Sequence, residues 1–467
     1  MSKYSLAVRG HCRTIGTCSA VQGVGGQILG NLVMINKKTL LLGSAAALLV
    51  TGAQAADMPK APAREPVYRC DITGFIELPG TDICFKVGGQ VIAYAVLAQD
   101  NVVGGSIFHS WKNVGGSSVH TTDDTLVMHV HGRLNFDART STEYGTLRAF
   151  IEMQAHDNNA STGGSFDLRH AFIQFGNWTI GKTTRTLNPA GVTPYLTDYG
   201  VNGTLFAGQG GRPVQVRYTM PLGNGLSLAV AIEDPAFYND GDYGLQFRNQ
   251  VNVARPGTLF GGVTSTQERN EVPDLVAQLS WAGSWGGFSI GAGVRQNVYA
   301  LALGTTIADR DIGWRVEGGV YVKATSNVTL MARGSYSDAY NQPSGISLGD
   351  VLVNTATGAI GASIEEWMVA VGANIQWAPA WKSGMFVAYA TAEPSTTVGT
   401  TAVLFTPAQV SIDVFQVMAN VFWTPVKGLD FGVEVAYVDV NYNLPILTPN
   451  PTGTDAFSIV FEAKRVF

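Results

Sequence analysis

Val127-Met-His-Val-His-Gly-Arg-Leu-Asn-Phe-Asp-Ala-Arg139 alternates in character along most of its length. Met128, Val130, Leu134, Phe136 and Ala138 fall on one parity; His129, His131, Arg133, Asn135, Asp137 and Arg139 fall on the other. Successive side chains of a strand point to opposite faces, so the stretch is a ribbon with one greasy face and one wet face. Ser141-Thr-Glu-Tyr-Gly145 interrupts it, and the alternation resumes with Leu147, Ala149, Ile151 and Met153 against Arg148, Glu152, Gln154 and His156. Two alternating ribbons around a short Gly-containing connection predict a β-hairpin.

The same unit recurs outward along the chain. Val214, Val216, Tyr218 and Met220 alternate with Gln215, Arg217 and Thr219, Pro221-Leu-Gly-Asn-Gly225 turns the chain, and Leu226, Leu228, Val230 and Ile232 follow. Trp367, Val369, Val371, Ala373, Ile375 and Trp377 oppose Asn374 and Gln376, and Leu429, Phe431, Val433, Val435 and Tyr437 oppose Asp430 and Glu434. The closing segment Phe457-Ser-Ile-Val-Phe-Glu-Ala-Lys-Arg-Val-Phe467 sets Phe457, Ile459, Phe461, Ala463 and Phe467 against Ser458, Glu462 and Lys464. Only Arg465 spoils its greasy side, next to the end, where a long side chain reaches an interface. A terminal strand ending in an aromatic resembles the last strand of bacterial outer-membrane barrels.

Counted this way, strands are predicted at 83–98, 124–140, 145–157, 166–176, 178–184, 213–221, 225–233, 273–282, 286–299, 312–324, 327–340, 363–378, 383–394, 411–424, 429–442 and 456–467, sixteen in all. The connections after the even-numbered strands are tight and those after the odd-numbered ones long, as the periplasmic turns and extracellular loops of a transmembrane barrel are. A soluble β-sandwich or propeller also alternates, but its strands average five or six residues. Many here reach the ten or so that a tilted membrane crossing needs, and Trp281, Trp314, Tyr336, Trp367, Trp377, Trp423 and Tyr437 collect at ribbon ends as an interfacial girdle does. Lipid offers no hydrogen-bond partner to an open sheet edge, so the sheet must close. The expected fold is all-β, a 16-stranded antiparallel transmembrane β-barrel, too wide for side chains to fill. Its water-filled lumen is expected to pass small hydrophilic solutes by diffusion.

The front of the chain fits export. Basic Met34-Ile-Asn-Lys-Lys38 precedes the apolar run 39–50 and the small-residue site Ala53-Gln54-Ala55, the layout of a cleaved signal peptide over 34–55. Residues 1–33 read as an over-extension upstream of Met34, 56–82 as a periplasmic N-terminal segment and 83–467 as the barrel. Removing 1–55 takes away Lys3, Arg9, Arg13, Lys37 and Lys38 and no acid, leaving 25 basic and 35 acidic residues, a net of −10. That charge disfavours nucleic acid as a partner. The charged fraction of 14% is low, and Gly, at 55 of 467, is high for a soluble domain. Cys70 and Cys84 remain after cleavage; in an oxidising compartment they are expected to form a disulfide ahead of the first strand, two free thiols being the alternative.

Several segments carry a family resemblance. Cys70-Asp-Ile-Thr-Gly-Phe-Ile-Glu-Leu-Pro-Gly-Thr-Asp-Ile-Cys84 resembles the cysteine-bounded opening of the mature porins of rhizobia, Brucella and related alphaproteobacteria. Gly132 to Glu152 resembles that family's second hairpin, and Arg169 to Lys182 its next strand pair, with Gly181-Lys182 where Gly-Arg is usual. The resemblance is strong over 70–220 and in the last strand, and weaker between. It implies a homotrimer of general diffusion pores in outer-membrane lipid and lipopolysaccharide, with no cofactor and no enzymatic activity. In sixteen-stranded porins the third extracellular loop folds inward, so the loop 185–212 is expected to narrow the lumen around 194–202. Its one acid, Asp198, would then face basic residues of the wall, for which the candidates are Arg133, Arg139, Arg148, Arg169, Lys182 and Arg217. Arg169 and Lys182 share their ribbons' apolar parity, and some of the arginines would instead pair with Asp137 and Glu152. Opposite charges across a narrow pore set a field that sorts ions by sign.

Three rivals remain. A substrate-specific channel would add a run of stacked aromatics, and the inward aromatics here are scattered. An outer-membrane hydrolase would need a site; His129 and His131 share a face, as metal ligands do, but no third ligand or oriented base is evident and polar lumen positions explain them. A purely structural or adhesive barrel would not conduct.

Overall fold

The computed structural model describes residues 70, 72–100, 113–114, 117–118, 125–156, 165–189, 191–198, 211–234, 271–300, 307–340, 351–353, 360–396, 398–399, 404–405, 411–443 and 454–467. The export signal and the upstream stretch expected over 1–55, and part of the eyelet expected over 194–202, lie outside the described residues.

Sixteen strands form the wall: β1 Cys84–Asp100, β2 Thr125–Thr142, β3 Gly145–His156, β4 Ser165–Phe175, β5 Trp178–Lys182, β6 Val214–Gly223, β7 Leu226–Glu233, β8 Asp274–Ala282, β9 Gly286–Ala300, β10 Ile307–Lys323, β11 Val328–Asp338, β12 Ile360–Ala378, β13 Trp381–Pro394, β14 Ser411–Val426, β15 Leu429–Asn443 and β16 Thr454–Val466. Each pairs antiparallel with the next. β16 returns to β1, from Gln90↔Val466 to Asp100↔Ala456, and closes the ring. At the seam the Phe467 N–H donates to the Gly89 carbonyl at 3.0 Å and the Gly89 N–H to the Phe467 carbonyl at 3.1 Å. Closure gives each wall strand, among the described residues, a paired neighbour on both sides, as hydrocarbon requires. Arg465, on the outer parity, bends its guanidinium back to the Lys427 carbonyl at 2.8 Å, so its charge meets the turn rather than lipid.

The outer face is the greasy one. Met128, Ile290 and Val371 are 68%, 59% and 58% exposed, whereas Glu233, Arg315 and Ser337 on the inner face are fully buried. A soluble protein would reverse this, so the solvent of the outer face is lipid. Two belts of paired aromatics bound it. Trp314–Tyr336 and Trp367–Tyr389 stand toward the rim of long connections, Trp178–Tyr218 and Trp381–Trp423–Phe431 toward the rim of short turns. Trp367 and Trp377 are ten residues apart on β12. That is about 33 Å of strand, which a barrel tilt of roughly 35–45° projects onto about 25 Å, the height of an apolar band.

Two details depart from the alternation. β10 begins at Ile307 rather than at the expected 312, and so includes Asp309-Arg310-Asp311, whose charges suit a loop. These residues lie beyond Trp314 toward water, where the Arg310 guanidinium donates two 2.9 Å bonds to Glu271. A bulge between Glu152 and Met153 sets His170 opposite Glu152 and Leu168 opposite Met153, leaving Arg169 as the extra residue. Arg169, predicted on the apolar parity, is thereby turned to the lumen and buried. Ahead of β1, the Cys70–Cys84 disulfide holds the segment 72–83, whose Ile76–Glu77 pairs with Cys84 and Phe85.

Candidate functional site

The long connection after β5 enters the barrel. Its residues 183–189 and 191–198 run along the inner wall and between them meet strands from β7 to β16. The Thr186 N–H donates to Glu233 of β7 at 2.6 Å, and the Asn188 N–H to Gln278 of β8 at 2.9 Å. Leu187 is fully buried against β9, where a side chain at Gly291 would come within 2.4 Å of it. Arg185 reaches Glu317 of β10 at 3.3 Å, and Glu317 also faces Arg333 of β11 at 3.7 Å. The Tyr195 N–H donates to Asn374 of β12 at 2.6 Å, and the Tyr195 backbone lies so close to Gly384 of β13 that a Cβ there would meet its oxygen at 2.3 Å. Thr197 gives both its N–H and its hydroxyl to Glu434 of β15, at 2.9 and 2.7 Å, and the Asp198 N–H donates to Glu462 of β16.

The wall thus supplies the hydrogen bonds that the loop backbone would otherwise find in water. A buried N–H must be satisfied, and each bond to a charged acceptor contributes about 1.5–3 kcal/mol. Glu233, Glu434 and Glu462 therefore act as clips. Sequence reasoning placed Glu434 and Glu462 on the wet face without giving them this role. No side-chain pattern marks a carboxylate whose partner is another segment's backbone.

The described belt ends at Asp198. Its carboxylate accepts from Gln90 Nε2 at 3.0 Å and lies 3.8 Å from Arg133 Nη2 and 3.7 Å from Lys464 Nζ. About 30% of the side chain remains exposed. Burial pushes its pKa up, but the charges of Arg133, Lys464 and Arg169 outweigh that and hold the carboxyl below its ordinary value.

The candidate cations divide into distinct groups. Arg133 faces Asp198 and also donates to Gln154 at 2.8 Å. Arg169 pairs with Glu152 at 3.0 Å. Arg139 and Arg148 each fork onto Asp137, with all four contacts between 2.8 and 3.0 Å. Arg139 is six residues from Arg133 on β2, about 20 Å toward the short-turn rim, so this pair does not face Asp198. Arg217 donates to the Thr184 carbonyl at the loop's entrance, 3.4 Å away. Lys182 ends β5 on the outward parity of Trp178 and Ile180. The structure adds Lys464, which the sequence placed on the wet face but outside the candidate set.

A closed ring of strands, greasy outside and charged within, with a loop clipped along its inner wall, is a membrane channel by construction. A family model described as a porin subfamily matches residues 58–456 of the chain. The chain belongs to this porin family. Among curated relatives it is similar to Porin Omp2b of Brucella melitensis, 30% identical over 321 residues that cover 65% of this chain and 75% of that protein. Porin Omp2b of Brucella neotomae is 29% identical over 371 residues, covering 73% and 89%. Among solved structures, the outer membrane channel DcaP of Acinetobacter baumannii shares the fold with a TM-score of 0.60 at 21% identity, covering 82% of this chain and 97% of that one. The protein is a diffusion channel of the outer membrane, and its family membership implies a channel rather than an enzyme. The disulfide-bounded opening, 70–84, stands within the matched region.

Proposed function

We propose that this porin is a general diffusion pore whose eyelet is lined by Asp198 on the inward loop and by Arg133 and Lys464 on the wall beside it. The single observation that carries the reading is the cluster of Asp198 with Arg133 and Lys464, 3.8 and 3.7 Å apart on one patch of the lumen wall, with Asp198 still about 30% exposed. Fixed charges exposed on the wall of a narrow passage set a local field, which orders water and sorts permeant ions. Nothing in this arrangement selects one solute by shape, so small hydrophilic molecules are passed by size.

The pore assembles as a homotrimer in outer-membrane lipid and lipopolysaccharide, after removal of a signal peptide over 34–55. Mass measurement of the mature protein in detergent tests both: a trimer starting near Ala56 is expected, and a monomer beginning at Met1 would contradict them. Liposomes loaded with the protein and swollen in sugars of graded size test the general pore. Rates falling smoothly with size are expected. One sugar entering far ahead of smaller ones would establish a substrate-specific channel instead.

A further inference from the structure

Four guanidinium groups are buried where the inward loop crosses the wall of β9 to β11: Arg185 of the loop, Arg295 of β9, Arg315 of β10 and Arg333 of β11. Arg295 has its own counter-charge, meeting both oxygens of Asp274 on β8 at 2.7–3.1 Å. The other three act on one carboxylate, Glu317. Glu317 Oε2 lies 3.3 Å from Arg185 Nη2, its Oε1 lies 3.7 Å from Arg333 Nη2, and Arg315 stands two residues away on the same strand face. Charge-assisted pairs with good geometry close to about 2.7–2.9 Å, so one carboxylate is spread thinly over three cations.

Arg185 is the group left short. Its side chain is only 1% exposed, and its Nε and Nη1 have no hydrogen-bond partner among the described residues. Buried donors are bonded almost without exception, and a buried charge short of partners is costly. Tyr340, with Arg295 and Arg315 over its ring at 4.1 and 4.7 Å, offers a ring face but no negative charge, and its hydroxyl goes to Asp274. The missing partner is small. Two residues beyond Glu317, a Cβ at Gly319 would already meet Pro189 and Val192 of the loop at 3.0 and 3.2 Å. A neighbourhood packed this tightly suits a monatomic ion and not an organic solute.

We propose that a halide ion of chloride's size binds beside Arg185, between the inward loop and β10–β11, with Arg315 and Arg333 adding positive potential. The ion accepts from the Arg185 donors that Glu317 does not reach. It also completes the attachment of the loop. The carboxylate clips stand on β7, β15 and β16, at the two ends of the described belt, and the ion holds the stretch between them. β10 is eight strands from β2 in a ring of sixteen, so the site lies across the lumen from Arg133 and does not rest on the eyelet reading.

Bromide, standing in for chloride, is the probe. Crystals of the detergent-purified protein grown in NaBr should show an anomalous peak in contact with the Arg185 guanidinium; a map with none there would overturn the site. In solution, thermal unfolding is followed at fixed ionic strength while NaBr replaces sodium gluconate, whose anion is too large to enter. A saturable rise in Tm is expected, because an ion bound only by the folded protein stabilises it. Arg185→Gln and Arg315→Gln should each lose most of that rise, whereas Arg310→Gln, exposed at the outer rim, should keep it. No rise in wild type, or an equal rise in Arg185→Gln and Arg310→Gln, would overturn the site. If the two inner variants do not fold, the wild-type comparison and the bromide peak still decide.

Discussion

Asp137 and Asp198 are both lumen carboxylates met by cationic side chains, and the two sites are built differently. Asp137 is gripped by two guanidinium forks at 2.8–3.0 Å. Those forks are themselves stacked, Arg139 on Phe75 at 4.9 Å and Arg148 on Phe150 and Phe172 at 4.8 and 5.2 Å. Asp198 instead sits 3.7–3.8 Å from Arg133 and Lys464, takes one direct bond from Gln90, and keeps a third of its side chain in water. A carboxylate neutralised by two forks leaves little field beyond the cluster and holds three strands' worth of side chains in place. Charges kept apart leave a dipole that a passing ion meets. The first arrangement is mechanical and the second electrical, although sequence draws both from the same residue types.

The largest expected effect lies at the mechanical site. Asp137→Ala leaves two partly buried guanidinium groups facing each other and should cost about 2–4 kcal/mol of stability, read from urea unfolding in detergent. Its reversal potential in a salt gradient should hardly move; a shift as large as that of an Asp198 variant would break the contrast. Glu434→Gln comes next, because it removes the charge from the clip on Thr197. A loss of about 1–2 kcal/mol and noisier open-channel current are expected; a current as quiet as wild type would show that the loop does not depend on the clip. Arg133→Gln should cost about 1 kcal/mol, since its ion pair with Asp198 is long, at 3.8 Å, and Asp198 stays partly exposed, and should move selectivity toward cations. An unchanged reversal potential would take Arg133 out of the eyelet.

The smallest effect is in pH. The folded pKa of Asp198 is depressed below 3.8, so the stability it contributes is complete above that ordinary value and disappears as the pH falls through the depressed one. The difference in reversal potential between wild type and an Asp198 variant should therefore persist down to about pH 4. A difference already gone at about pH 5 would mean that Asp198 lacks its cationic neighbours.

The barrel was legible because lipid imposes a period-2 code on every strand, and the turns between strands are short enough to count. Legibility failed where that code is relaxed. At Asp309-Arg310-Asp311 the strand has left the hydrocarbon, so charge no longer argues against it. At Arg169 one bulged residue flips the parity, and no local feature of the sequence announces a bulge. The clips of Glu233, Glu434 and Glu462 were illegible for another reason: each accepts from backbone N–H groups of a segment distant in sequence, and every residue has an N–H. Which arginine faces Asp198 depends on height along the barrel, and parity alone carries no height.

The most direct measurement is the single-channel reversal potential of Asp198→Asn against wild type in a salt gradient, with conductance recorded in the same traces. Both proteins should conduct, and the variant's reversal potential should shift toward the anion limit because a fixed negative charge has left the narrowest passage. Conducting channels with identical reversal potentials would contradict the placement of Asp198 at the eyelet, and the absence of conductance in wild type would contradict the water-filled pore itself.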